Sequence, residues 1–328
     1  MITRRRIVIA FGAGALAAPL ASFAQQPPAK IFRIGFLGAE SAAGYASRME
    51  ALRAGLRDLG YVEGKNIVIE YRWAEGKYER LPDLAAELVH LKVDVIVTHA
   101  APGSLAAKRA TTTIPIVMAT MGDPVSLGLI ASLAQPGGNV TGSTFFQPEL
   151  AAKRLELLKE AMPRMTQVAV LLTRDNPTNR QTLEAMGITA RSLKVGLQNF
   201  EVGRLDEFAG AFSAMAKKRA AAVVIPETPL FIVNAKKIAD LAAKQRVLSA
   251  GDKAFAEAGG MIGYGANLLE LYHRVAYFVD KILKGAKPGD LPVERPTKFE
   301  LVVNMKTAKA LGIKIPNPIL VRADKVIE

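Results

Sequence analysis

IPIVMATMGDPVSLGLIASLAQPGGNVTGST, residues Ile114–Thr144, decides how this chain is read. Ile116–Ala119 is a short apolar run of buried-strand character, Thr120–Pro124 is a polar loop, and Val125–Ala134 has the composition of a helix. A Gly-rich turn, Gln135–Asn139, then leads into another strand. Strand, loop and helix in that order place the loop outside the carboxyl end of a parallel strand, where open α/β sheets bind ligands. A helix starting after Asp123 would add free N–H groups and a positive dipole end.

The same alternation runs along the whole chain. Strands are expected at 31–37, 66–71 and 93–98 and helices at 45–59, 78–91 and 102–110 before the opening stretch. After Thr144 the pattern restarts. Helices are expected at 149–161, 179–193, 205–219, 231–245 and 268–283, and strands at 167–172, 197–202, 221–225, 247–249 and 259–264. A helical turn at 253–257, a strand at 298–303 and a helix at 305–311 complete the pattern. This predicts two doubly wound, Rossmann-like α/β lobes. Gln135–Asn139, Gly259-Gly260 and Lys284–Pro296 are the expected crossings of a three-crossing hinge. The expected lobes are 30–143 with 262–293, and 144–261 with 294–328.

The first 25 residues read as a cleaved signal. Arg4-Arg5-Arg6 is a basic n-region, Ile7–Leu20 is apolar, and Ser22-Phe23-Ala24 supplies small residues at −3 and −1. The apolar run is shorter than the roughly 20 residues a membrane span needs. The arginines after Thr3 also fit a twin-arginine signal. A periplasmic protein is therefore expected. Gly12-Ala13-Gly14-Ala15-Leu16-Ala17 imitates a dinucleotide fingerprint, but the first acidic residue after it is Glu40, too late and in the wrong loop.

Composition removes several function classes. With no Cys among 328 residues there is no disulfide, thiolate metal site, Cys nucleophile or lipid-bearing Cys. The net charge of +13 falls to +10 without Arg4, Arg5 and Arg6, and the remaining basic residues, Lys153-Arg154 and Lys217-Lys218-Arg219 among them, are dispersed beside acidic neighbours. No basic patch interleaved with aromatics suggests nucleic acid. No Gly-x-Ser-x-Gly elbow or phosphate loop occurs, and His90, His99 and His273 have no metal-ligand spacing. What remains is a set of polar loops at strand ends without a nucleophile, base and orienting group. No catalysis, cofactor or metal is expected.

At these loops the chain resembles the ABC-transporter substrate-binding proteins that include bacterial tryptophan- and tyrosine-uptake receptors. The resemblance is carried by Ile69–Gly76, Pro115–Pro124, Gln135–Gly142, Phe255–Gly260 and Ile282–Pro288, and spans about residues 30–328. It implies a periplasmic-binding-protein type 1 fold, a small-molecule ligand held between the lobes, an inner-membrane ABC permease as partner, and a monomer. It places Asp123 beside the ligand at a helix start, where a helix cap is the other reading. It makes Ala100–Ser104 an apolar turn lining the first lobe, with His99 either touching ligand or filling the strand end, and sets Asn176 on the first loop of the second, where an Asx turn is the alternative.

The residues themselves add further candidates. Ser41 and Thr120 lie in strand-end loops, Tyr45 and Tyr264 could stack on a planar ligand or only plug a lobe surface, and Asp252 follows a short strand. Thr173-Arg174-Asp175 and Glu227-Thr228 stand where amino-acid-binding members have a Ser-rich loop and Asp-Asn. Arg174 could clamp a carboxylate or pair with Asp175, and Glu227 could pair with a ligand ammonium. An amino acid or another small, aromatic carboxylate is the expected ligand. A periplasmic sensor feeding a membrane signalling protein would use the same fold.

Overall fold

The computed structural model describes residues 30–328, so the expected signal segment lies outside the described residues. In chain order the elements are β1 (Phe32–Gly38), α1 (Ala42–Asp58), β2 (Ile67–Trp73), α2 (Leu81–His90), β3 (Val95–Thr98), α3 (Ala100–Ala110), β4 (Ile116–Met118) and β5 (Val140–Gly142). There follow α4 (Gln147–Ala161), β6 (Gln167–Thr173), α5 (Asn179–Ser192), β7 (Gly196–Val202), α6 (Phe208–Lys217), β8 (Ala222–Val224), α7 (Pro229–Val233), α8 (Ala235–Lys244), β9 (Leu248–Gly251), α9 (Lys253–Glu257) and β10 (Ile262–Gly265). Then come α10 (Leu268–Leu283), β11 (Glu300–Asn304), α11 (Met305–Leu311), α12 (Asn317–Arg322) and β12 (Lys325–Ile327).

Two sheets result. The first has the order β2-β1-β3-β4-β5 and is parallel throughout. The second runs β12-β11-β10-β9-β8-β6-β7, with one antiparallel step between β10 and β11. Central strands are covered by helices on both faces, so Ile34, Phe36, Val95, Val97, Val168 and Val170 are all fully buried. Separate apolar clusters fill the two faces of each sheet, and a small one of Phe145, Leu150, Ala266 and Leu271 lies where the chain passes between them. No helix among the described residues is long and apolar enough to cross a membrane.

Strand order reverses between β1 and β3 in the first sheet and between β6 and β8 in the second. Such switch points open a crevice at the carboxyl ends of the strands. The loops that start α1 and α3 flank the first crevice, and the loops after β6 and β8 flank the second.

The structure moves three expected boundaries. Val125–Ala134 is not a helix: the Leu129 N–H reaches Pro124 O at 3.0 Å and the Gly128 N–H reaches Val125 O at 2.9 Å, then Gly128 takes φ +67° and ends the turn. The helix expected at 231–245 divides at Asn234 into α7 and α8. β10, expected in the first lobe, hydrogen-bonds with β9 and β11 in the second sheet, whereas α10 packs on α1.

The crossings therefore fall at 143–146, 266–267 and 294–299, with the first and third tied together. Thr144 N–H donates to Glu294 O and Glu294 N–H to Gly142 O, both at 2.9 Å. The Gln135–Asn139 turn lies before this, at the other end of β5. Its Asn139 amide donates to Thr111 O (3.1 Å) and Ile114 O (2.9 Å) and accepts from Lys108 (2.8 Å). Gly142 follows at φ +132°, and a Cβ there would lie 2.2 Å from Met118 O, so only glycine fits. The distinctive PGGNVTG run is thus a device that locks β5 to β4. Gly259-Gly260 likewise turns the chain within the second lobe, ahead of β10.

Candidate functional site

The two crevices face one another across a narrow cleft. His99, Ala100 and Thr120 line it from the first lobe, Asn176, Thr178 and Glu227 from the second, with Phe145 and Leu268 from the connecting segments. The lobes meet at its margin, where the Gln181 side-chain amide donates to Ser126 Oγ at 3.0 Å.

On the first lobe, β3 ends at Thr98 and delivers His99 into the cleft wall, 2% exposed. Tyr272 OH (2.8 Å) and Thr120 Oγ1 (3.0 Å) both lie within hydrogen-bond reach of His99 Nδ1. With two hydroxyls on one ring nitrogen, either Nδ1 carries the proton and donates to one of them, or it is bare and accepts from them with the proton on Nε2. Burial, and then the charge of Arg48, hold the imidazole well below the usual histidine range, so it is neutral. Ala100 takes φ +59°, a strained conformation for a residue with a Cβ, fixed by its N–H donating to Thr120 O at 2.9 Å.

Behind His99 stands an aromatic wall. The Tyr45 ring meets His99 edge-on at 5.7 Å and packs on Trp73 at 5.3 Å. The Arg48 guanidinium, one turn along α1, lies 4.4 Å above the Tyr45 ring. Arg48 is 5% exposed, its Nη2 donates to Gly44 O, and its Nη1 has no hydrogen-bond partner. Glu40 follows β1 and accepts from Tyr78 OH at 3.0 Å. Burial pushes its carboxyl up to about 7 against the opposing effects of Tyr78 and Arg48.

On the second lobe the dominant feature is Arg154, wholly buried on α4. It grips both carboxylate oxygens of Glu227, Nη1 to Oε2 at 2.7 Å and Nη2 to Oε1, and also donates to Tyr264 O and Ile225 O. Arg154 belongs to the buried interior, not to the solvated basic face that Lys153-Arg154 suggested. Glu227 reaches the cleft with its charge already matched. Asp252 occupies an adjoining pocket that shares Glu227 and Ile232 as walls. Its Oδ1 caps α9 by accepting from Phe255 N–H at 2.7 Å, and its buried Oδ2 has no partner. Burial, and then the charge of Glu227, push its carboxyl up to about 6.

The other expected site residues are placed as follows. Ser41 Oγ accepts from Gly44 N–H (3.3 Å) and caps α1. Thr228 Oγ1 accepts from Phe231 N–H (3.4 Å), caps α7, and is bonded to Thr173 Oγ1 at 2.8 Å, behind Glu227. Asn176 lines the cleft, but its Oδ1 is engaged by Thr178 N–H and Oγ1, so it also makes the Asx turn. Asp123 Oδ1 accepts from Val125 and Ser126 N–H, both at 3.1 Å, closing the turn that replaces the expected helix. Arg174 is paired with Glu207 at 2.9 Å, rather than with Asp175, on the exposed surface away from the cleft. Tyr264 lies in an outer groove, stacked on Phe299 with ring centroids 6.1 Å apart.

Arg48, Glu40, Arg154, Gln147 and Thr178 were not among the expected residues. A signal existed for the two arginines. On α1 the buried positions are 45, 48, 49, 52, 55 and 56, and on α4 they include 150, 151, 154, 155 and 158. Both arginines fall inside the apolar stripe of their helix. No group of three or more His, Cys, Asp or Glu able to hold a metal occurs among the described residues.

Comparison with known proteins agrees with this fold. A tyrosine-binding protein of Clostridioides difficile (strain R20291) is 26% identical over 260 residues, 79% of this chain and 74% of that one. A solved structure from Vibrio cholerae superposes with a TM-score of 0.84 at 27% identity, covering 90% of this chain and 100% of that one. A Streptococcus pneumonia protein solved in complex with L-Trp superposes with a TM-score of 0.81 at 26% identity, again covering 90% and 100%. The family model for ABC transporter substrate binding proteins matches residues 40–327, and the chain belongs to that family of solute-binding proteins, which are not enzymes.

Proposed function

We propose that this chain is the periplasmic receptor of an ABC importer, capturing a small amino acid or aromatic carboxylate and presenting the closed form to an inner-membrane permease. One observation carries the reading: the switch-point loops of two separate sheets converge on a single buried polar cleft. A ligand touching both sides favours closure through contacts that only the closed form makes. The tyrosine and L-Trp associated with relatives of similar length support an amino acid as the ligand. The basic, apolar and small-residue order of residues 4–24 supports export by a cleaved signal. The lobes are taken as roughly 30–143 with 266–293, and 144–265 with 294–328, in a monomer.

The test is a thermal-shift screen of the purified protein against amino acids, aromatic acids and nucleobases. A true ligand at 100 times its Kd adds about 2.7 kcal/mol of stability. That reads as a rise of several degrees in Tm. A library with no hit, together with turnover of any compound, would overturn the receptor reading.

A further inference from the structure

A second concave site lies outside the cleft, at the hinge. It is a groove of about 570 Å³, within the roughly 300–1,000 Å³ typical of small-molecule sites. Its walls come largely from the crossings themselves. Phe146 ends the first crossing, Arg295 and Phe299 belong to the third, and Tyr264 stands just ahead of the second. One side of α4 completes it.

Three half-buried aromatic rings thus share one opening. The Arg295 guanidinium lies 4.3 Å above the Phe146 ring. Arg295 is exposed and makes no hydrogen bond or ion pair among the described residues. The adjacent acid does not serve it, because both oxygens of Glu294 are held by Arg274 at 2.7 and 2.8 Å. Glu149 and Lys153 also border the groove, one turn apart on α4, where opposite charges offset one another. Lys153 is further bonded to Glu156 at 2.7 Å. The groove therefore offers flat apolar faces and one guanidinium whose planar fork of donors is open.

Groove and cleft are two sides of one wall. Phe145 lines the cleft, and the next residue, Phe146, lines the groove. Phe146 takes φ +55°, a strained left-handed conformation, where the chain enters α4. The small cluster of Phe145, Leu150, Ala266 and Leu271 lies between the two cavities. Leu268 packs on it from the cleft, and Tyr264 and Phe299 from the groove.

We propose that this groove is a second binding site, for a small planar aromatic carboxylate whose ring packs on the three aromatic side chains and whose carboxylate takes Arg295. A bidentate carboxylate uses the guanidinium edge that the Phe146 ring leaves open. An aromatic amine would leave Arg295 unmatched, and an aliphatic acid would forgo the ring contacts. An occupant bridges the first and third crossings beside the bonds that Thr144 and Glu294 already make. Binding there is thereby coupled to the hinge on which the cleft depends. The site is separate from the cleft and goes beyond the receptor reading.

The experiment is calorimetric titration of the purified protein with 4-bromobenzoate, and a crystal structure in its presence in which the anomalous signal of bromine marks the position. Bromine should appear in the groove. Arg295→Gln and Phe299→Ala should each weaken binding at least fivefold. On the wild-type protein, 4-bromobenzylamine and cyclohexanecarboxylate should bind at least fivefold more weakly than 4-bromobenzoate. Hydrogen exchange at the Thr144 and Glu294 amides should slow when 4-bromobenzoate is bound, and not in Arg295→Gln at the same concentration. If Phe299→Ala fails to fold, Arg295→Gln and the bromine position decide. Bromine in the cleft alone, no binding at millimolar concentration, or affinity unchanged by Arg295→Gln overturns the proposal. Unchanged exchange with the groove occupied overturns its coupling to the hinge. The receptor reading survives each of these results, because it stands or falls on the wider screen.

Discussion

Each lobe buries one arginine, and the two are used differently. Arg154 is saturated: two bonds to Glu227 and the rest to the carbonyls of Ile225 and Tyr264. Arg48 makes one backbone bond and a ring contact and keeps a buried Nη1 open. A saturated charge is part of the fold, because its interactions are complete before any ligand arrives. An open one has capacity left. The difference separates the second lobe's internal strut from an incompletely matched charge in the first lobe, although both arginines fall on the apolar stripe of a helix.

The sharpest way to break this comparison is to remove each arginine in turn. Arg154→Met strands Glu227 in the interior beside Asp252, and losing one partner of a buried pair costs about 3–5 kcal/mol. Urea denaturation should register that loss, and adding Glu227→Leu should recover most of it. Arg48→Met should leave stability unchanged or raise it, since it removes an incompletely matched charge. Equal destabilisation by both substitutions would erase the distinction.

A second test concerns the acid that neighbours Arg48. The Glu40 carboxyl is raised from 4.5 to about 7, chiefly by burial. Between those values the folded state holds a proton that the unfolded state has released. Stability from this group therefore falls as pH rises from about 4.5 to 7, and the penalty persists above. Glu40→Gln removes it. The variant should be more stable than wild type at pH 8 by of order 1–3 kcal/mol, with no advantage at pH 4.5. Melting curves across that range check it, and a wild-type-like slope in the variant would place the proton elsewhere.

The smallest effects belong to residues whose interactions are local. Asp123→Ala should lose about 1 kcal/mol of stability with the capping bonds to Val125 and Ser126, and leave ligand affinity within twofold. Arg174→Ala, on the exposed surface with Glu207, should change neither Tm nor affinity. A tenfold affinity loss in either variant would place Asp123 or Arg174 in the recognition surface.

The alternation of apolar runs with helix-period segments fixed the α/β class, because strand burial and helix amphipathicity are written locally in residue spacing. Helices such as α10 and α11 match their expected bounds for that reason. Val125–Ala134 misled because its composition suits a helix, while the left-handed Gly128 ends the turn after a few residues. The PGGNVTG run was conspicuous, but its role came from a contact: Asn139 reaches back to residues 111 and 114, and Gly142 passes against Met118. Tyr264 and Arg174 looked like ligand contacts by position in the chain, yet they lie outside the cleft.

By itself, the sequence determined the strand–helix succession, the two lobes and the absence of cysteine chemistry. These depend on neighbours in the chain. Tertiary structure decided which buried charges are matched. Arg154 finds Glu227 across 73 positions, while Arg48 Nη1 and Asp252 Oδ2 are buried without a hydrogen-bond partner. Partnership between distant side chains depends on how sheets and helices pack, and no local pattern encodes it.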